Sequence, residues 1–327
     1  MLRKLIIIAL SLEILITSCS FQRSWIRKAD LPTERWFLTT IVIDGKIYAI
    51  GGIGGRSEGL EGSARVEMYD PATNSWTKKA DMLTGRGGLG AAVVGGKIYA
   101  FGGAPDTTLP PVATVEVYDP AANTWIRTAD MPEARDGVTT GQVNGKIYLI
   151  GGAEYNPVTF ERISLPTVEE YDPVAGTWRK KTDMPTARYA LSSCVINGKV
   201  YTLGGLILSF AMATPAMATS AVEEYDQATD TWMKRANMPE AKWCTAAVAV
   251  DGKIYVFGGT NSDTDPAAST VFEYNPTLDS WKTLPGMPFT RLAMSASVAN
   301  GKVYIIGGSV NNFPYDPLDR GVWEYIP

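Results

Sequence analysis

Six basic residues stand at matched positions along the 327-residue chain: Arg35, Arg86, Arg135, Arg188, Lys242 and Arg291. The residue after each differs: Trp36, Gly87, Asp136, Tyr189, Trp243 and Leu292. Carboxylates precede three of them, at Glu34, Glu133 and Glu240. Guanidinium groups grip carboxylate or phosphate with two parallel hydrogen bonds, and flat aromatic faces hold sugars and peptides. Two roles are therefore open for the basic set: pairing with carboxylates and carbonyls of a neighbouring unit, or lining an anion-binding mouth. The carboxylates are open to the same choice. They either bridge to the bases or serve as acid and base, with Glu133 and Glu240 the catalytic candidates. The chain has no histidine. That excludes an imidazole general base, a His-based triad and His-ligated zinc, copper or iron. A net charge of −4 and pI near 5.1 argue against nucleic acid, which selects a basic footprint.

These residues belong to a repeat. Glycine pairs fall at 51–52, 102–103, 151–152, 204–205, 258–259 and 307–308, each 26 positions after a tryptophan (Trp25, Trp76, Trp125, Trp178, Trp232, Trp281). Each base follows its tryptophan by ten residues, and tyrosines precede the tryptophans from Trp76 onward by seven. A period of 49 to 54 residues signals a radial β architecture. Each unit reads as four short strands. The first two are joined at Asn-Gly, Asp-Gly or Gly-Gly, which supply the positive φ of a type I′ hairpin. One antiparallel sheet per unit makes one propeller blade.

The glycine pair, the Tyr-Asp dipeptides (Tyr69–Asp70, Tyr118–Asp119, Tyr171–Asp172, Tyr225–Asp226), the spaced tryptophan and the following base resemble the kelch repeat over residues 25–327. The resemblance implies an all-β, six-bladed propeller. Tyr325 would call for a tryptophan beyond Pro327, so the strand at Trp25–Lys28 is expected to complete the last blade and close the ring. Blades are expected at about 35–80, 86–130, 135–183, 188–237, 242–286, and 291–327 with 24–30. In kelch domains the loop-rich face commonly receives the ligand. The ligand-binding residues expected there are Arg35, Trp36, Arg86, Arg135, Arg188, Tyr189, Lys242, Trp243 and Arg291.

Function follows as an expectation with two forms. The first is a binding module for a glycan, an acidic sugar, a peptide or a protein, acting as a monomer without a cofactor. The alternative is a sugar mutarotase or epimerase resembling the kelch N-acetylneuraminate epimerases, which implies a Glu base and an Arg for the sugar carboxylate. A copper oxidase of galactose-oxidase type fails for want of histidine. The loop at 153–167 carries Glu154, Tyr155, Phe160, Glu161 and Arg162, and the loop at 206–221 is uncharged and apolar, suited to a partner surface or a lid. Asn261, Asp263 and Asp265 alternate as calcium ligands do but lack an EF-hand's glycine and distal Glu.

Residues 1–18 have a positive start and a short apolar run, the pattern of an export signal. Ile16–Thr17–Ser18–Cys19 resembles a bacterial lipobox, which implies lipid attachment at Cys19, a short tether over 19–24 and a protein held at a bacterial membrane. Cys194 and Cys244 are expected as separate buried thiols.

Overall fold

Turn chemistry sets the strands. At Asp44–Gly45, Gly95–Gly96, Asn144–Gly145, Asn197–Gly198, Asp251–Gly252 and Asn300–Gly301 both residues have positive φ, between 48° and 75°. That left-handed pair defines the type I′ turn, and its twist matches that of the strands it joins. The computed structural model describes residues 25–54, 61–159, 161–208, 216–262, 264–310 and 318–327. Regular structure among them is entirely β. Residues 1–18 and Cys19 lie outside them.

Six four-stranded antiparallel sheets form the blades of a propeller. The second blade is typical: Gly90–Val94, Lys97–Phe101, Val115–Asp119 and Thr124–Arg127, running outward in that order. In the sixth, Trp25–Lys28 pairs antiparallel with Val322–Tyr325, Trp25 opposite Tyr325. The innermost strands neighbour one another in a ring. The first blade's Thr39–Ile43 meets the last blade's Ser295–Ala299, where the Thr40 hydroxyl bonds those of Ser295 and Ser297 at 2.8 and 2.7 Å.

The repeated residues hold blade to blade. Each tyrosine ring lies against its tryptophan, centroids 4.6–5.1 Å apart, filling the space between sheets. The indole N–H of Trp76, Trp125, Trp232 and Trp281 donates to a carbonyl of the preceding blade (Ala29, Ala80, Thr182 and Ala236) at 2.8–2.9 Å. The second glycine of every pair donates its N–H to the carbonyl of the next blade's base at 2.9–3.0 Å, ending with Gly308 on Arg35. Side chains are excluded by the same approach. A Cβ on Gly102 would stand 2.4 Å from the Arg135 carbonyl oxygen.

The base ring is internal. Arg35, Arg86, Arg135, Arg188 and Arg291 have no exposed surface, and Lys242 has 2%. Arg35, Arg135, Arg188 and Arg291 each donate to the carbonyl of the first glycine of their own blade's pair, 16 residues on. Each donates again to a carbonyl entering the third strand: Arg65, Thr167, Ala221 and Gly321. A carboxylate completes the set: Glu67 at 2.7 Å, Glu169 and Glu223 at 2.6 Å, and Asp319. Arg86 pairs with Glu116 at 2.6 Å. Lys242 reaches Asn261 Oδ1 at 2.8 Å and Glu240 at 2.9 Å. These bases therefore do not line an anion-binding mouth, because a solute cannot reach them. Among the described residues the carboxylates that pair with the five arginines, Glu67, Glu116, Glu169, Glu223 and Asp319, lie in the same blade as their base and not in a neighbouring one. Desolvation pulls the guanidinium pKa of Arg86, Arg135, Arg188 and Arg291 down, the last to about 10, and the carboxylates keep the charges tolerable. The two cysteines are free thiols, Cys244 buried and Cys194 half-buried.

Two stability changes are expected. Glu116→Ala leaves the Arg86 charge buried without its partner and should cost about 3–5 kcal/mol, while Arg86→Met with Glu116→Leu should recover most of it. Urea unfolding midpoints read both, and a single variant as stable as the parent would contradict the buried-pair account. Gly102→Ala should cost about 1–3 kcal/mol, since its φ of +58° and the Arg135 carbonyl both oppose a side chain. Gly95→Ala shares the φ but meets nothing within 4 Å, so its unfolding midpoint should fall less.

Candidate functional site

Each blade presents one residue in the same way at the top of the central axis. The residue after the base exchanges backbone hydrogen bonds with the residue after the glycine pair, as Asp136 does with Ala153 at 3.1 and 2.9 Å. The pairs are Trp36 with Ile53, Gly87 with Ala104, Asp136 with Ala153, Tyr189 with Leu206, Trp243 with Thr260 and Leu292 with Ser309. The buried base fixes the start of one partner and the glycine pair fixes the other. What varies between blades is the side chain on display.

The next residues form a floor. Phe37, Gly88, Gly137, Ala190, Cys244 and Ala293 have φ between 49° and 65°. In that left-handed conformation each N–H points to the carbonyl of the previous blade's equivalent, at 2.8–3.1 Å, and the circle closes from Phe37 to Ala293. Below it a smaller cavity of about 230 Å³ is lined by hydroxyls that include Thr40, Thr140, Ser192 and Ser295.

Above the floor lies a cavity of about 690 Å³, room for a monosaccharide. Trp36, Phe37, Tyr189 and Trp243 give it aromatic walls, and Ile53, Leu206 and Leu208 add aliphatic surface. Its charged lining is Asp106, Asp136, Glu161 and Arg162. Asp136 is 5% exposed. Burial pushes its carboxyl pKa up against the pull of Arg162, whose Nε stands 3.3 Å from Oδ1, and Tyr189 hydrogen-bonds it. The same burial, with Asp136 beside it, drives the Tyr189 phenol pKa well up, so that group stays a donor. Glu161 has one carboxylate oxygen out of solvent with no hydrogen-bond partner among the described residues, and so does the Trp243 indole N–H.

Loops of different blades lock together to form this wall. Arg162 donates to the carbonyls of Thr107 at 2.8 Å and Leu109 at 3.2 Å, in the blade before its own. Ser164 bonds Leu206 and Leu208 in the blade after, at 2.9 Å. Gly62 donates its N–H to the Pro105 carbonyl.

Of the residues expected at a site, Trp36, Tyr189 and Trp243 line the mouth, and Arg35, Arg86, Arg135, Arg188, Lys242 and Arg291 stand behind it as its frame. Glu240 is exposed and paired with Lys242. Glu133 lies near the buried Arg135–Glu169 pair, whose charges it perturbs, and does not line the cavity. Asp106, Glu161 and Arg162 were not anticipated as site residues. Their available signal was position, charged residues in inserted loops that the repeat does not require. Of the apolar loop at 206–221, Leu206 is buried and Leu208 joins the mouth, while Phe210 and Met212 lie outside the described residues. Asn261 is engaged by Lys242, and Asp263 lies outside the described residues.

The KLHDC2/KLHL20/DRC7 Kelch-repeats domain matches residues 54–205 and 88–308. Kelch-like protein 35 of Mus musculus is 27% identical over 240 residues, 73% of this chain and 30% of that protein. Beta-scruin of Limulus polyphemus is 26% identical over 73% of this chain and 20% of its own length. Kelch-like protein terF of Aspergillus terreus is 29% identical over 72% of this chain and 52% of its own. The chain thus spans about half or less of the length of these relatives. The solved structure of YjhT shares the fold, with a TM-score of 0.73 at 18% identity, covering 90% of this chain and 96% of that one. Together with the six blades, these matches show that the chain belongs to the kelch-repeat β-propeller family.

Proposed function

We propose that the mouth binds a monosaccharide and interconverts its anomers by acid–base catalysis. A kelch propeller is suited to ligand or protein binding, and one observation favours this chemistry. A single aromatic-walled cavity holds a carboxyl biased toward its acid form, Asp136, and a carboxylate oxygen without a partner, Glu161. Two carboxyl groups in unlike environments take the two roles of acid and base. Glu161 removes the proton of the anomeric hydroxyl, whose O–H electrons form the aldehyde C=O. The C1–O5 electrons leave to the ring oxygen, which takes the proton of Asp136. Rotation about C1–C2 and the reverse transfers close the other anomer. Arg162 and Tyr189 hold Asp136 in place, and Trp243 carries the apolar side of the sugar.

A second reading, a module that binds a protein, draws support from the mouth's rim, where Leu109 is 47% and Met217 is 58% exposed. For the Trp25–Lys28 strand we infer that its pairing with Val322–Tyr325 is what closes the ring against unravelling. From residues 1–19 we infer export and lipid attachment at Cys19.

Anomer exchange of freshly dissolved aldoses, followed by polarimetry or NMR, tests the first reading. Glu161→Gln should slow it about 10²–10⁴-fold, and Glu240→Gln should leave it unchanged. Asp136 must be protonated, and its pKa is raised, so activity should fall as pH rises through a value above the ordinary aspartate pKa of about 3.9. Asp136→Asn should abolish that alkaline limb. No exchange above the spontaneous rate with any aldose would return the chain to the protein-binding reading. Lipid attachment is tested by labelling expressing bacteria with an alkyne fatty acid: the label should appear on the parent and vanish in Cys19→Ser.

A further inference from the structure

Resting on the sugar-binding reading, we propose that the mouth selects a sugar carrying a protonated amine, an amino sugar, in preference to an acidic or N-acetylated one. Charge decides the sign. Among the described lining residues three carboxylates, Asp106, Asp136 and Glu161, face one cation, Arg162. Counting every group ionised, the lining carries −2, and with Asp136 protonated it still carries −1. An anionic ligand enters such a mouth against its field, and a cation enters with it.

The one cation is also largely committed. Arg162 has its Nε on Asp136, one Nη on the Thr107 carbonyl and the other on the Leu109 carbonyl. A guanidinium grips a carboxylate with two parallel N–H groups, and here a donor on every nitrogen is committed to holding loops together. The ring bases cannot substitute, since none of the arginines has exposed surface. A sugar carboxylate arriving at this mouth would therefore meet no guanidinium free of other work, only the two N–H groups that Arg162 has not committed.

Two features suit an ammonium instead. Glu161 brings a carboxylate to the cavity wall, one of its oxygens met by no described donor, and an ammonium supplies three donors on a compact charge. Trp36, Tyr189 and Trp243 line the same space, and the negative quadrupole of an aromatic face attracts cations. Asp106 is held in its ionised form at the rim by N–H groups of Thr108 and Leu109 and by the Thr108 hydroxyl, and adds to the field from one side.

Isothermal titration of the full chain with glucosamine, N-acetylglucosamine and N-acetylneuraminate tests the proposal. Glucosamine should bind about tenfold or more tightly than N-acetylglucosamine at low salt, the gap narrowing in added salt, and N-acetylneuraminate most weakly. Glu161→Gln should close most of the gap by weakening glucosamine far more than N-acetylglucosamine, with an unaltered thermal midpoint as its folding control. Asp106→Asn should narrow the gap by a smaller factor. N-acetylglucosamine or N-acetylneuraminate binding as tightly as glucosamine, in a manner that Trp243→Ala weakens, would overturn the proposal and leave the sugar-binding reading standing. Absence of binding by all three, or binding that Trp243→Ala leaves intact, would overturn both.

Discussion

A guanidinium buried without a carboxylate is among the costliest things a protein interior can hold, and this propeller buries five guanidiniums, each with a carboxylate partner. Each is made tolerable by the same geometry: a glycine-pair carbonyl or a neighbouring strand carbonyl on one side and a carboxylate on the other. Because those partners come from different strands of the blade, the charge can be satisfied only when the strands are in register. The fifth blade confirms the dependence by its exception. Phe272 stands where the first four blades carry the glutamate two residues before the tyrosine, and there the base is Lys242, bonded to Asn261 and the outward Glu240; the sixth has Trp323 at that place, and its Arg291 is met by Asp319 instead.

That constraint makes the mouth a display surface. With the base locked below and the glycine pair locked beside it, the residue between them is held at one height in every blade. The next residue bends into the left-handed region to complete a circle of backbone hydrogen bonds. Four of those six positions are not glycine, so the turn costs on the order of 1 kcal/mol at each, and it is retained because the circle satisfies donors at the axis that water would otherwise have to reach. The result is a bowl with a closed bottom. Its chemistry is set by single side chains per blade and by loops that lean across blade boundaries, as Arg162 does onto Thr107 and Leu109.

Much of this was legible in the residues. The Asn-Gly and Asp-Gly dipeptides set the hairpins, the Tyr–Trp spacing set the packing between sheets, and the disagreement among blades at Trp36, Tyr189 and Trp243 pointed to the mouth. The basic ring was misassigned for a physical reason that the sequence also carries. Glu67, Glu116, Glu169 and Glu223 each stand two residues before the repeat tyrosine, on the strand that faces the base, and a carboxylate repeated with its base marks an internal pair. Glu161, Arg162 and Asp106 were not legible as a site. They lie in loops of unequal length, where no period fixes which residue turns inward and only contacts between blades decide it. Asp136 was visible as a displayed residue, but its raised pKa arises from burial, against the pull of Arg162 and Tyr189, which no spacing reveals.

The central claim is that the frame is inert and the displayed residues are the site. A crystal structure of the protein soaked with a monosaccharide tests it most directly. The account predicts sugar density against Trp36, Tyr189 and Trp243, within hydrogen-bonding distance of Glu161, with all five ring guanidiniums unmoved on their carboxylates. A sugar seated elsewhere, or a ring arginine swung out of its pair to meet it, would contradict it.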